Sequence, residues 1–416
     1  MIALYRLITT LLYWIAYPYG RTRASSGDHV WQGRLALLST FEQADIWLHA
    51  ASVGESKVVG FLVGALLKQK PELRLHVTTV TRAGFEAAAK SLKGKADVSV
   101  FPLDAPAPMR TMLQLIRPRI LAIAETEIWP SLIIEASEQK VKIVQFNARM
   151  SERGVRRYLR VKGAISRLLG HYDRFFVKSE LDRERFSTFG IDPSSAEVTG
   201  DMKFDAPLTL GSEGRNREVR DWMGMTETAF LFVAGSTRKG EDGQLVELYK
   251  AIREDIPGFT LVLAPRHLER LKEISSTLDQ SGCDYYIYEP GSRLSGCDGK
   301  IVIIDQMGIL MDLYQAADIA FVGGTLVDKG GHNILEPVWC GKPVVYGPYL
   351  SNVAEAAEYI ESNGFGARVR EVGELRNLVR DFAEGRRVFE SMSEEDRLNS
   401  PTTTVARYLV KLLNNV

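Results

Sequence analysis

Two series of short apolar runs organise the 416-residue chain. The first is Ile46–Ala51, Leu75–Val80, Val98–Phe101, Ile120–Ala124, Val141–Phe146 and Phe175–Val177. The second is Phe230–Ala234, Thr260–Ala264, Ile301–Ile304, Ile319–Val322 and Val344–Tyr346. Runs this apolar on both faces predict buried parallel strands, and the stretches of helical period between them, such as Val58–Leu67 and Ser131–Glu138, predict the crossovers. The fold class is therefore α/β, with two doubly wound Rossmann-like domains facing across a cleft at the carboxyl ends of their strands, where open sheets of this kind bind ligands.

The pattern also sets the divisions. An almost uncharged run from Ile2 to Tyr17, interrupted by Arg6 and followed by Arg21 and Arg23, predicts an N-terminal membrane anchor over residues 1–20, either crossing the bilayer or lying in its interface. Residues 21–44 read as a linker, 45–206 as the first domain, 207–217 as a polar interdomain linker, 218–390 as the second domain, and 391–416 as a C-terminal helix packing back on the first.

Composition narrows little. Lys plus Arg and Asp plus Glu both number 52, so net charge gives no argument for nucleic acid. The three cysteines and six histidines show no disulfide or metal-ligand spacing, and no metal or cofactor is expected. There is no GxxxxGK[ST] loop, no first-strand GxGxxG and no GxSxG elbow, which argues against nucleoside triphosphate hydrolysis, nicotinamide chemistry and α/β-hydrolase chemistry.

The chemistry sits in the strand-end loops. HAASVGES (His49–Ser56) follows the first strand and opens a helix with Glu55 in its first turn, where the positive dipole end keeps a carboxylate ionised, as a general base requires. Gly54 permits the tight turn, and Ser52 and Gly54 are candidate donor or acceptor contacts, as are Ser236, Gly324, Gly331 and His332 in the second domain. ETEIWP (Glu125–Pro130) hangs Glu125 and Glu127 in the loop after the fourth run, with Pro130 in a helical first turn. NARMSERG leads into a helix carrying Arg153, Arg156, Arg157 and Arg160 on one face, suited to anionic headgroups or a phosphorylated lipid; no aromatic residues are interleaved for base stacking. TGDMKFD places Lys203 at the end of the first domain.

In the second domain, AGSTRKGE contributes Ser236, and APRH contributes Pro265 and Arg266, whose planar fork suits a phosphate. QMGIL contributes Met307, Gly308 and Ile309. The segment Phe321–Pro348 reads as a strand, a glycine-rich loop with Gly324, Gly331 and His332, and a helix from Ile334 to Cys340 capped by Asn333. Free N–H groups there would suit a phosphate, and Glu336 would take sugar hydroxyls.

Taken in order, HAASVGE, ETEIWP, NARMSERG, TGDMKFD, PRH, MGIL and GGTLVDKGGHNILEP resemble the bacterial 3-deoxy-D-manno-octulosonic acid (Kdo) transferases of lipopolysaccharide assembly, over roughly Ile46–Pro348. The resemblance implies a GT-B fold, a CMP-Kdo donor, a lipid A precursor (lipid IVA) as acceptor at the cytoplasmic face of the inner membrane, and inverting transfer without a metal. It further implies Glu55 as general base and Glu125 and Lys203 as transition-state support. CMP contacts would come from Pro265, Arg266, Met307, Gly308, Ile309, Asn333, Ile334, Leu335 and Glu336. Ile309 stands where the family usually has Glu, and Asp201 where it has a small polar residue. Two rivals stay open: a GT-B enzyme using a UDP-sugar (transferase or epimerase), and a membrane-anchored sugar-nucleotide-binding protein without catalysis.

Overall fold

The computed structural model of the chain describes residues 1–38, 43–205, 215–393, 395–396 and 399–415. Residues 206–214, which hold most of the expected interdomain linker, and 39–42 of the first linker lie outside the described residues. The chain divides into two compact units, Met1–Leu208 with Leu398–Val416, and Thr209–Arg397.

The first unit is built on a seven-stranded parallel sheet: β1 (Ile46–Ala50), β2 (Leu75–Thr79), β3 (Asp97–Val100), β4 (Ile120–Ala124), β5 (Lys142–Ala148), β6 (Arg174–Val177) and β7 (Ala196–Val198), in the order β3-β2-β1-β4-β5-β6-β7. Ile46 of β1 lies between Leu75 of β2 and Ile120 of β4. The winding reverses between β1 and β4, and the loops after these two strands carry Glu55 and Glu125. That is where the crossovers diverge and leave a crevice. The helix Pro401–Asn415 belongs to this unit: Val405, Ala406, Leu409 and Leu413 are buried with Val58, Leu62 and Leu66 of the helix Val53–Gln69. Asp205 accepts from the Thr402 N–H at 2.6 Å, and Arg119 donates to the Leu413 carbonyl.

The N-terminal helix Ile2–Ser25 is docked on this unit through one face. The Tyr5 hydroxyl donates to Asp104 at 2.9 Å, Arg6 pairs with the buried Glu135, and Tyr13 is buried. Its other face leaves Leu4, Leu7, Leu11, Leu12, Trp14 and Ile15 exposed. Among the described residues no helix is long and apolar enough to cross a membrane, which removes the spanning form of the expected anchor. Arg6, Thr9, Thr10 and Pro18 break the apolar run, and Arg6 is committed to a protein carboxylate instead of a headgroup.

The second unit repeats the plan: β8 (Leu231–Thr237), β9 (Thr260–Pro265), β10 (Tyr285–Tyr288), β11 (Ile301–Ile304), β12 (Ile319–Val322), β13 (Val344–Tyr346) and β14 (Gly366–Arg368), all parallel, in the order β10-β11-β9-β8-β12-β13-β14. The winding reverses between β8 and β12, so the loops after β9, β8 and β12 lie side by side at the strand ends. Apolar residues of β8, β9, β11 and β12 fill the core against the helices Asp242–Ile252 and Val372–Ala383.

Candidate active site

Glu55 is fixed by its own helix start. Ser52 is the N-cap of the helix Val53–Gln69, and its Oγ accepts from the Glu55 N–H at 3.3 Å and donates to Glu55 Oε1 at 2.8 Å. Glu55 Oε2 accepts from the Ala51 N–H at 2.7 Å. This is a capping box folded back by one further residue, worth about 1 kcal/mol to the helix. The same bonds hold the carboxylate in one orientation, and burial raises its pKa above the ordinary glutamate value despite them.

The Glu55 carboxylate lines an open cavity of about 800 Å³ together with Glu125, Glu127, Trp129, Arg149, Arg157, Tyr158, Lys178 and Arg185. Glu125 carries its side chain on a left-handed backbone, φ +53°, and Asn147 on the adjacent strand has φ +52°. Such backbones cost about 1 kcal/mol each in a non-glycine residue and collect at functional sites. The Glu125 N–H donates to the Phe146 carbonyl at 3.0 Å and its own carbonyl accepts from Gln145 Nε2 at 2.6 Å, which holds the turn. Its carboxylate accepts from Arg149 Nε at 3.1 Å and from the Lys178 ammonium at 3.3 Å. Glu127 is pushed up to about 7, by burial first and then by the charge of Glu55.

Lys203, expected to share this site, does not line the cavity. It lies in a short 3-10 turn, Met202–Phe204, and its N–H donates to Asp201 at 3.0 Å. Beside Arg149, Lys178 supplies a cation to the carboxylate network, donating to Asp201 at 2.9 Å as well as to Glu125. Its partners are 53 and 23 residues away in sequence, so no local pattern pointed to it. Arg153, Arg156, Arg157 and Arg160 line a single open concavity of about 580 Å³ on the helix Glu152–Leu159, with Arg156 paired to Glu152.

In the second unit, Ser236, Pro265, Arg266, Gln306, Met307, Gly308, Ile309 and Glu336 line one cavity of about 280 Å³. The strand-end loops thus bring together most of the expected nucleotide-contact residues. Ile334 and Leu335 are buried in the core instead, and the expected helix Ile334–Cys340 is a single turn, Leu335–Trp339. Asn333 accepts from the Leu335 N–H at 3.3 Å and donates to Glu336 at 3.3 Å, while burial raises the Glu336 carboxyl and Arg266 opposes that rise.

Much of the glycine-rich loop spends its N–H groups on internal partners. Glu241, fully buried, reaches into it and accepts from the N–H of Gly324 at 2.8 Å and of Thr325 and Leu326 at 3.0 Å, while the Arg238 N–H donates to the same carboxylate at 2.8 Å. The Gly331 N–H goes to the Gly324 carbonyl at 2.8 Å. Gly323 is a glycine because a Cβ there would lie 2.4 Å from the Ser236 carbonyl and 2.8 Å from Glu241. His332 Nε2 accepts from Arg238 Nε at 2.9 Å. Among the described residues no group of three His, Cys, Asp or Glu is placed to hold a metal ion.

The sequence profile of the 3-deoxy-D-manno-octulosonic-acid transferase (Kdo transferase) family matches residues 29–206. A bifunctional glycosyltransferase/methyltransferase of Fusobacterium nucleatum is 32% identical over 89% of this chain, which spans only 58% of that protein. A 3-deoxy-D-manno-octulosonic acid transferase of Chlamydophila psittaci is 31% identical over 77% of this chain and 73% of its own length. The crystal structure of a UDP-GlcNAc 2-epimerase from Neisseria meningitidis superposes with a TM-score of 0.52, 13% identity and coverage of 89% of this chain and all of that one, a likeness of the GT-B-type fold alone. With the profile over the first unit and that degree of identity running on through the second, the chain belongs to the 3-deoxy-D-manno-octulosonic acid transferases, a family of glycosyltransferases.

Proposed function

We propose that the chain transfers Kdo from CMP-Kdo to a lipid A precursor, lipid IVA, with inversion and without a metal, at the cytoplasmic face of the inner membrane. The observation that carries this reading is the orientation of Glu55: a carboxylate made more basic by burial, tied at both oxygens, in a cavity wide enough for a sugar acceptor. In this reading Glu55 takes the proton of the acceptor hydroxyl as its oxygen bonds to the anomeric carbon. The bond from that carbon to the phosphate oxygen breaks, and CMP leaves with the electron pair. Glu125, oriented by Arg149 and Lys178, offsets the positive charge that develops on the sugar, and Lys203 acts from the neighbouring turn. The first unit thus activates the acceptor and the second holds the donor.

CMP carries one phosphate, and Arg266 in the second-unit cavity supplies one fixed guanidinium charge for it. The arginine concavity at residues 153–160 and the apolar face of the N-terminal helix serve the anionic and the hydrophobic parts of a membrane-borne acceptor. In this reading the helix lies in the interface and does not span. Equilibrium binding of CMP and UDP tests the donor assignment. Preference for CMP by at least about tenfold, a discrimination within reach of one or two base contacts, is expected; equal binding or preference for UDP contradicts it.

A further inference from the structure

The second unit holds a guanidinium that the nucleotide cavity does not use. Arg238 follows β8, His267 follows β9 and His332 follows β12, so the three loops that meet at the winding reversal each contribute one of these side chains. Arg238 Nε donates to His332 Nε2 at 2.9 Å, and Arg238 Nη1 to His267 Nε2 at 2.6 Å. Both imidazoles act as acceptors, which fixes the guanidinium plane without cancelling its charge. The contrast within the same unit is Arg270, which is neutralised by the buried Asp242. His332 remains a neutral acceptor at physiological pH because burial, Arg238, Arg266 and His267 lower it to about 4.

Fixing a charged fork with neutral partners leaves its outer edge, with the remaining Nη donors, ready for an anion. Arg266, next to His267 in the same loop, already lines the nucleotide cavity, and one phosphate needs one such group. A donor made of CMP and a sugar acid has a second anion, the carboxylate on the anomeric carbon next to that phosphate. We propose that Arg238, held between His332 and His267, forms a carboxylate subsite beside the nucleotide cavity and selects a sugar acid over a neutral sugar. This rests on the donor reading given above.

The test is equilibrium binding of CMP and of freshly generated CMP-Kdo to the full-length protein and to its Arg238→Gln, Arg238→Lys and Arg266→Gln variants, with thermal unfolding to establish that each is folded. For Arg238→Gln, CMP affinity is expected to stay within about twofold and CMP-Kdo affinity to fall by about tenfold or more, the scale of one bidentate charge-assisted contact. Arg238→Lys should fall in between, because it keeps the charge and loses the fork, whereas Arg266→Gln should weaken both ligands together. Equal loss of CMP and CMP-Kdo in Arg238→Gln makes Arg238 a phosphate ligand, and no loss of either makes it a structural link between loops; both overturn the subsite and leave the donor reading intact. A wild type that binds neither ligand overturns both.

Discussion

The Lys178 ammonium donates to Asp201 at 2.9 Å and thereby offsets the negative charge that this carboxylate brings to the strand ends. Only 10% of the Lys178 side chain is exposed, and its second partner is Glu125. Removing the cation leaves two partly buried carboxylates facing each other. Lys178→Met is therefore expected to cost about 3 kcal/mol in urea unfolding and to lower transfer activity at least about tenfold. The double variant Lys178→Met, Asp201→Asn should recover most of the stability, giving a coupling of at least about 1 kcal/mol in the double-mutant cycle. Additive costs would show that the pair is not coupled.

Glu127 gives the site a pH signature. In the unfolded chain its carboxyl titrates at the ordinary glutamate value of 4.5, and in the fold at about 7, with burial the largest cause and Glu55 the next. Between these values the folded protein holds the proton more tightly than the unfolded chain, so this residue lowers stability as pH rises through that window. Glu127→Gln should accordingly be more stable than wild type at pH 8 and equal to it below pH 4.5. Chemical denaturation at the two pH values checks this; an equal difference at both would mean that the carboxyl titrates normally in the fold.

Glu241 closes the glycine-rich loop as an internal strut. Its glutamine variant keeps one acceptor oxygen and turns an N–H₂ group toward backbone donors. With four N–H groups converging on a fully buried carboxylate, Glu241→Gln is expected to destabilise the second unit by about 3 kcal/mol. CMP affinity should fall with it, since the same loop leads to Asn333 and Glu336. A glutamine variant as stable as wild type would mean that the loop holds itself.

What was legible in the sequence follows burial. Interior strands such as β1, β4, β8 and β12 are buried on both faces and read as uninterrupted apolar runs. Three edge strands, β7, β10 and β14, did not, because each is three or four residues long and partly exposed. Glu55 and Glu125 were legible because a carboxylate just past a buried strand has few structural reasons to be there. Lys178 and Glu241 were not, since their roles come from partners 53 and 83–85 residues away, and a lysine after a strand or an acid before a helix looks ordinary. The N-terminal run was legible as apolar but not in its division between a face docked through Tyr5, Arg6 and Tyr13 and a face left open.

That open face makes its own prediction. Leu4, Leu11 and Ile15 are each more than half exposed on a folded helix, an apolar load that an interface accommodates. Flotation with vesicles containing anionic lipid should retain the wild type, and a Leu4→Ser, Leu11→Ser, Ile15→Ser variant should stay in solution with unchanged thermal stability. Equal retention of both would place membrane contact elsewhere on the protein.

The most direct measurement is transfer of Kdo to a tetraacylated lipid A precursor, with CMP-Kdo generated in situ, by the wild type and by Glu55→Gln. Glutamine can keep the bond from Ala51 and the helix start while giving up the base. The wild type should form product, and Glu55→Gln should bind CMP normally while its turnover falls by about 10² to 10⁴. Product formation by both at similar rates would remove Glu55 from the chemistry; normal CMP binding with no transfer by either would remove this acceptor from the account.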